Sequence, residues 1–433
     1  MFVYYIMVFS SRTTEFIQFL ETNISTNIPK ITMNHKSTNI FSLLFKHISD
    51  ANQVWKTIEL DYDIKPYNEN IIDIHFYPDI IQNVIVNMDK MICKTTFNIN
   101  KRTYYIHIIC EKKHNCTITY FKRLIKRMYI WLYVASTYAN NECSQILNIY
   151  IHFTKQEKTL PIEKGLIIEQ INVNTAYTYA CATDNELHIY RKEEWFKVFI
   201  HETMHSLGLD FAMMDTTNSN AYILEIFPVL SDVRISETYS EMWAELINIL
   251  FIVYNEKSST KTLINETLKM IKNEQKMSLF QCSKILNYYD LKYTELYDKN
   301  ENISLKRTEK YKEKTHVLSY YIIKSILMFY INDFLNWCSE INDNYSINFN
   351  KCREKVDENI RSFCDLIKRL HNKQEYIENI GNVMKLFHNI QLDQRKKTYC
   401  IHKRKNYTRR NKKRCNIKPF IFSSLRMSLY EVE

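Results

Sequence analysis

In residues 191–211, RKEEWFKVFIHETMHSLGLDF, two histidines stand four positions apart with a glutamate directly after the first. On an α-helix this spacing puts His201 and His205 on one face, with Cβ atoms about 6 Å apart, so both imidazoles can reach one tetrahedral metal ion. Glu202 lies about 100° further round, where it faces a metal-bound water and not the metal. Zinc brings the pKa of that water to about 7, and a carboxylate can then take its proton as the water attacks a carbonyl. The expected roles are His201 and His205 as Zn2+ ligands and Glu202 as general base. The composition predicts only about 0.02 chance occurrences of such a motif in the whole chain. Glu193 and Glu194 are expected to open the helix, as its dipole prefers. Gly208, one of only three glycines, is expected to close it with a positive φ.

A hydrolytic zinc site needs a third protein ligand and an open position. Downstream, ISETYSEMWAELIN (235–248) places Glu237, Glu241 and Glu245 at successive i, i+4 positions on one helical face, backed by Trp243, Leu246 and Ile247. Stacked carboxylates repel unless a cation sits beside them, so the stripe reads as a surface face or as part of a metal site. Next to the two-histidine helix the metal reading is preferred. Asp210 is a further candidate.

The segment VFIHETMHSL (198–207) resembles the longer signature of the zincin metallopeptidases, with Val198 opening it and Leu207 closing it. The carboxylate stripe resembles the gluzincins, whose third ligand is a Glu on a following helix, often opening an E-x-x-A-E pattern that Glu241-Met-Trp-Ala-Glu245 matches. The resemblance implies Glu241 as third ligand, with Glu237 as an alternative and Glu245 as a partner orienting a ligand histidine. HETMHSLGLD is also similar to metzincin and Asp-zincin sites, but in that register the third ligand falls on Phe211, which leaves Asp210 a supporting role. VNTAYT (173–178), residues 191–211, SETYSEMWAEL (236–246) and residues 316–338 are similar to uncharacterised metallopeptidase-like proteins of giant, mimivirus-type large DNA viruses, over roughly residues 115–340. Peptidases of this kind bind substrate along an edge strand, for which residues 170–180 are the candidates. They also use a Tyr or His to stabilise the oxyanion, for which Tyr239, His316 and Tyr320 are candidates.

The expected fold class is α+β. It comprises an N-terminal α+β region (1–114), a zincin-like catalytic unit of mixed sheet plus active-site helix (115–255), a mostly helical C-terminal region (256–394) and a basic tail (395–433). MFVYYIMVF (1–9), IIDIHFY (71–77), RTYYIHIIC (102–110), ILNIYIHF (146–153) and much of 167–183 read as strands. Residues 120–139 read as a helix, and 317–337 as one core helix. That last segment carries Lys324, Asn332 and Asp333, so it does not read as a membrane span.

The chain has a net charge of +10, yet residues 395–418 hold 12 Lys or Arg and no acid, leaving the rest near −2. Lys403, Arg404, Lys405, Arg409, Arg410, Lys412, Lys413 and Arg414 are therefore the candidate nucleic-acid contacts. Eleven cysteines without regular spacing suggest reduced thiols and an intracellular protein of the host cytoplasm, viral factory or virion, not a secreted one. The function expected is zinc-dependent hydrolysis of a peptide or protein substrate. The rival reading is a catalytically silent zincin-fold viral structural or nucleic-acid-associated protein that works through its tail.

Overall fold

The computed structural model describes residues 9–67, 72–113, 116–342, 346–402 and 418–432. The first half of the chain runs α1 (Ser11–Asn23), α2 (His35–Trp55), β1 (Asp63–Pro66), α3 (Asp79–Asn87), β2 (Lys90–Ile99), β3 (Arg102–Glu111), α4 (Ile118–Ser136), β4 (Ile146–His152), α5 (Gln170–Val173), β5 (Ala176–Thr178) and β6 (Asp184–Ile189). Helices follow: α6 (Trp195–Ser206), α7 (Thr217–Ile226), α8 (Ile235–Val253), α9 (Thr260–Tyr288), α10 (Glu301–Lys310), α11 (Lys324–Phe329), α12 (Ile331–Ile341), α13 (Val356–Leu370) and α14 (Gln374–His402). The fold is thus mixed α+β with a helical C-terminal region, as the sequence suggests.

The six strands form one mixed sheet in the order β1-β2-β3-β4-β6-β5. β3, β4 and β6 run parallel, and the other neighbours are antiparallel. Alternation in β3 and β4 aligns Ile106 with Ile149 and Ile149 with Leu187. This apolar row joins Leu124, Met128 and Trp131 of α4 in a core that continues from Phe16 to Tyr430. The boundary expected at 114/115 therefore does not separate two units, because β1 to β3 supply half of the sheet that carries β4 to β6.

Other strand expectations are revised. Residues 72–78 form turns leading into α3, since Pro78 is followed by a helix with an acidic first turn at Asp79. Residues 170–173 are a helical turn, and only Ala176–Thr178 pair, as the edge strand against β6. The expected strand at 1–9 lies outside the described residues except for Phe9, which bridges to Val432. Residues 317–337 are buried but not one helix: a π-helical turn (Leu318–Ile323) leads into α11, and Tyr330, with ψ 47°, breaks the chain before α12. No described helix is long and apolar enough to cross a membrane.

The end of the chain is not a solvated tail. Lys418–Val432 threads through the protein, with Leu425, Arg426, Ser428 and Leu429 fully buried. Its backbone is held by charged side chains: Glu194 accepts the N–H groups of Met427 and Ser428, Glu274 accepts that of Leu429, and the ammonium groups of Lys284 and Lys324 donate to the carbonyls of Ser424 and Met427. A sequence reading sees positive charge ending at Lys418; the structure sees an extended segment whose peptide groups satisfy buried ions. The basic positions Lys403 to Arg414 lie outside the described residues. Deleting residues 418–433 leaves Glu194, Glu274 and Lys324 without these partners, so the truncated chain is expected to lose cooperative thermal unfolding by circular dichroism; an unchanged transition would contradict this account.

Candidate metal centre

Helix α6 has no exposed side: all its residues, Trp195 to Ser206, are buried. It lies against β5, β6, α4 and α8, which bury its polar residues along with its apolar ones. Thr203, inside the two-histidine motif, accepts a 2.6 Å hydrogen bond from the Trp131 indole and so fixes α6 to α4. The helix begins one residue later than its acidic pair suggests. Glu194 stands before it with φ 56°, and its carboxylate pairs with the buried ammonium of Lys158.

His201 and His205 meet at Nε2, 3.1 Å apart. The Oε2 of Glu237 lies 3.1 Å from His201 Nε2 and 3.4 Å from His205 Nε2. Among the described residues these three form the group of ligand atoms that all lie within 4.8 Å of one another. Zinc bonds of about 2.0–2.1 Å in tetrahedral geometry would separate ligand atoms by about 3.3 Å, so the triangle fits that ion. The outer ring nitrogens are committed elsewhere. His201 Nδ1 faces Glu241 Oε2 at 3.0 Å, and His205 Nδ1 pairs with Asp210. A carboxylate can only accept, so each Nδ1 has an acceptor for its N–H, and this orientation turns both Nε2 atoms toward Glu237.

The carboxylate stripe of α8 is thereby divided. Glu237 faces the two Nε2 atoms, whereas Glu241, the preferred ligand on sequence grounds, lies one turn on, where it accepts from His201 and, at 2.7 Å, from Lys197. Glu245 pairs with Lys324 and does not touch either histidine. Sequence reasoning missed Lys197 and Lys324. The available signal was Lys197 at i−4 from His201, on the same helical face. Asp210 is not near the Nε2 atoms. It accepts from Ser240 at 2.7 Å and from the Ala212 N–H at 3.1 Å, and holds His205 from behind.

Gly208 makes that return possible. Its φ is +63°, and a Cβ there would lie 2.7 Å from the sulfur of Cys143. The N–H groups of Gly208 and Leu209 close the helix on the carbonyls of His205 and Met204. Cys143 is joined to Cys181, and Cys110 to Cys116, which corrects the expectation of unpaired thiols. Irregular spacing hides the Cys143–Cys181 pair because strand pairing brings the two together: Ser144 N–H donates to the Ala182 carbonyl.

Glu202 lines a small cavity together with His201, Val173, Ala176, Val198 and Met427. Burial pushes its carboxyl up from the usual range, and its oxygens make no hydrogen bond among the described residues. Tyr320 is on the same wall, its hydroxyl donating to Glu237 Oε2 at 2.6 Å. The other two candidates for the oxyanion role are elsewhere: Tyr239 donates to the Ile347 carbonyl in the core, and His316 is half-buried with Nδ1 2.8 Å from the Asp232 carbonyl. The chain matches no family model, no curated protein and no solved structure.

Two variants probe this scaffold. Gly208→Ala is expected to lower stability by about 1–3 kcal/mol in denaturant unfolding, since it combines a left-handed backbone with a steric clash. Lys197→Met leaves Glu241 buried beside one remaining partner and is expected to cost about 3–5 kcal/mol; wild-type stability in both would refute the packing described.

Proposed function

We propose that this chain is a zinc-dependent peptidase in which His201, His205 and Glu237 hold the metal and Glu202 is the general base. The observation that carries the reading is the convergence of two Nε2 atoms and one carboxylate oxygen at 3.1–3.4 Å, with both Nδ1 atoms facing carboxylates. Bound there, zinc would polarise a scissile carbonyl and acidify a water. Glu202 is the one carboxylate of the site with no hydrogen-bond partner among the described residues, which leaves it free to take a proton from that water and pass it to the leaving amine. Burial, the first cause, raises the pKa of its carboxyl above the usual range, the direction that strengthens it as a base. Lys197, Glu241 and Asp210 take no part in bond making; they orient the histidines.

The edge strand β5 supports a peptide as substrate. It pairs with β6 on one side, and an extended peptide can add to its other edge through main-chain hydrogen bonds. A glutamate ligand on a following helix is the gluzincin arrangement that the sequence resembles, with Glu237 in the ligand position. Tyr320, poised on Glu237, is the candidate donor to the developing oxyanion.

Metal analysis and a peptide-hydrolysis assay on purified variants test this. The wild type is expected to hold about one zinc per chain. Glu237→Ala should lose it, Glu241→Ala should keep it with about 10–100-fold weaker affinity, and Glu202→Gln should keep it while hydrolysis falls by at least about 100-fold. Full zinc content in Glu237→Ala, or undiminished hydrolysis in Glu202→Gln, would overturn the assignment.

A further inference from the structure

We propose that the chain carries a second site, apart from the metal centre, that binds a small phosphate-bearing ligand. The site is a cavity of about 480 Å³ between α4, the loop 154–157, residues 192–195 and the C-terminal Glu431 and Val432, within the range of small-molecule sites. The loop divides it from the metal side, because Lys155 to Glu157 face this cavity whereas Lys158 lines the other. The inference does not rest on the peptidase reading.

Five cations line the cavity: Arg12, Arg123, Arg127, Lys155 and Lys192. Three acids share its wall, and each is engaged. Glu157 pairs with Arg12 Nη2 at 2.6 Å. Glu431 accepts the Glu194 N–H at 2.9 Å and faces Arg426 at 3.4 Å. Glu193 accepts the Lys158 N–H at 2.7 Å, and burial pushes its carboxyl up to about 7, which reduces its charge. Lys155 is taken by Glu111 at 3.2 Å. Arg123, Arg127 and Lys192 remain, with no carboxylate or carbonyl acceptor among the described residues.

The arrangement is costly without an anion. Arg123 and Arg127 are one turn apart on α4, a like-charge spacing that destabilises a helix. Each guanidinium instead rests over a ring, Arg123 over Tyr120 at 5.9 Å and Arg127 over Phe196 at 5.8 Å. Arg12 adds a buried Nη1 with no partner. Arg123 is exposed, whereas Arg127 and Arg12 are half-buried, and a half-buried guanidinium nitrogen without an acceptor loses hydration that nothing replaces. A phosphate group restores it, because its oxygens match the planar fork of arginine in a bidentate contact. Trp195 and Tyr120 supply an aromatic wall, so the shared chemistry is a phosphate-bearing molecule, with or without a flat ring.

Isothermal titration of the full chain at fixed ionic strength with pyrophosphate and, separately, ATP tests the proposal. Saturable binding of at least one probe is expected, at least about tenfold weaker in Arg127→Gln and absent in Arg123→Gln/Arg127→Gln, with zinc content unchanged. Tighter binding of ATP than of pyrophosphate identifies a nucleotide with its base on the aromatic wall; equal binding identifies the phosphates alone. Arg127→Lys keeps the charge and loses the fork, and is expected to weaken binding even where the Gln variants misfold. No saturable binding of either probe, or binding undiminished in Arg127→Lys and in the folded double variant, overturns the site.

Discussion

Two imidazoles on one buried helix turn their Nε2 atoms to the same point, and the side chains around them fix that pose. The rings can hold this pose only if each Nδ1–H has an acceptor that cannot itself be a donor. Glu241 and Asp210 fill that role from opposite directions, one from α8 and one from the chain just past α6. Glu237 then closes the triangle. Because the acceptors are charged and dry, each needs further partners, and these reach through several layers of the fold.

The burial of so many ions is the main energetic liability. Removing carboxylates and ammonium groups from water costs several kcal/mol per ion, recovered only with close pairing and full hydrogen bonding. The structure answers with paired buried ions. Lys158 meets Glu194, Lys197 meets Glu241 and Lys324 meets Glu245, each pair almost fully buried. The peptide groups of the C-terminal segment supply further partners to Glu194, Glu274 and Lys324. The chain's last residues are thus bound at the start of the helix that carries His201 and His205, although more than 200 positions separate Glu194 from Ser428.

Much of this was legible in the sequence. The HETMH spacing locates His201, Glu202 and His205, Gly208 marks the helix end, and the alternation of ILNIYIHF gives a central strand. Periodicity also finds the Glu237, Glu241, Glu245 stripe, but spacing alone cannot say which of three equivalent carboxylates meets the metal. That depends on how far α8 is shifted along α6, a property of packing. IIDIHFY alternates like a strand yet forms turns, because a Pro-Asp helix start follows it at once. The Cys143–Cys181 pair and the buried C-terminal segment were invisible for a related reason: both depend on contacts between residues far apart in the chain. The basic stretch before residue 418 drew attention to charge and away from the apolar FIFSSLRMSLY (420–430) that follows.

The central claim is that Glu237, and not Glu241, completes the metal site with the Nε2 atoms of His201 and His205. Anomalous diffraction at the zinc edge from crystals of the purified wild-type protein tests it most directly. The account predicts one strong peak within about 2.2 Å of His201 Nε2, His205 Nε2 and Glu237, with Glu241 remaining on His201 Nδ1. A peak bonded to Glu241 or to either Nδ1, or no peak in zinc-supplemented crystals, would contradict it.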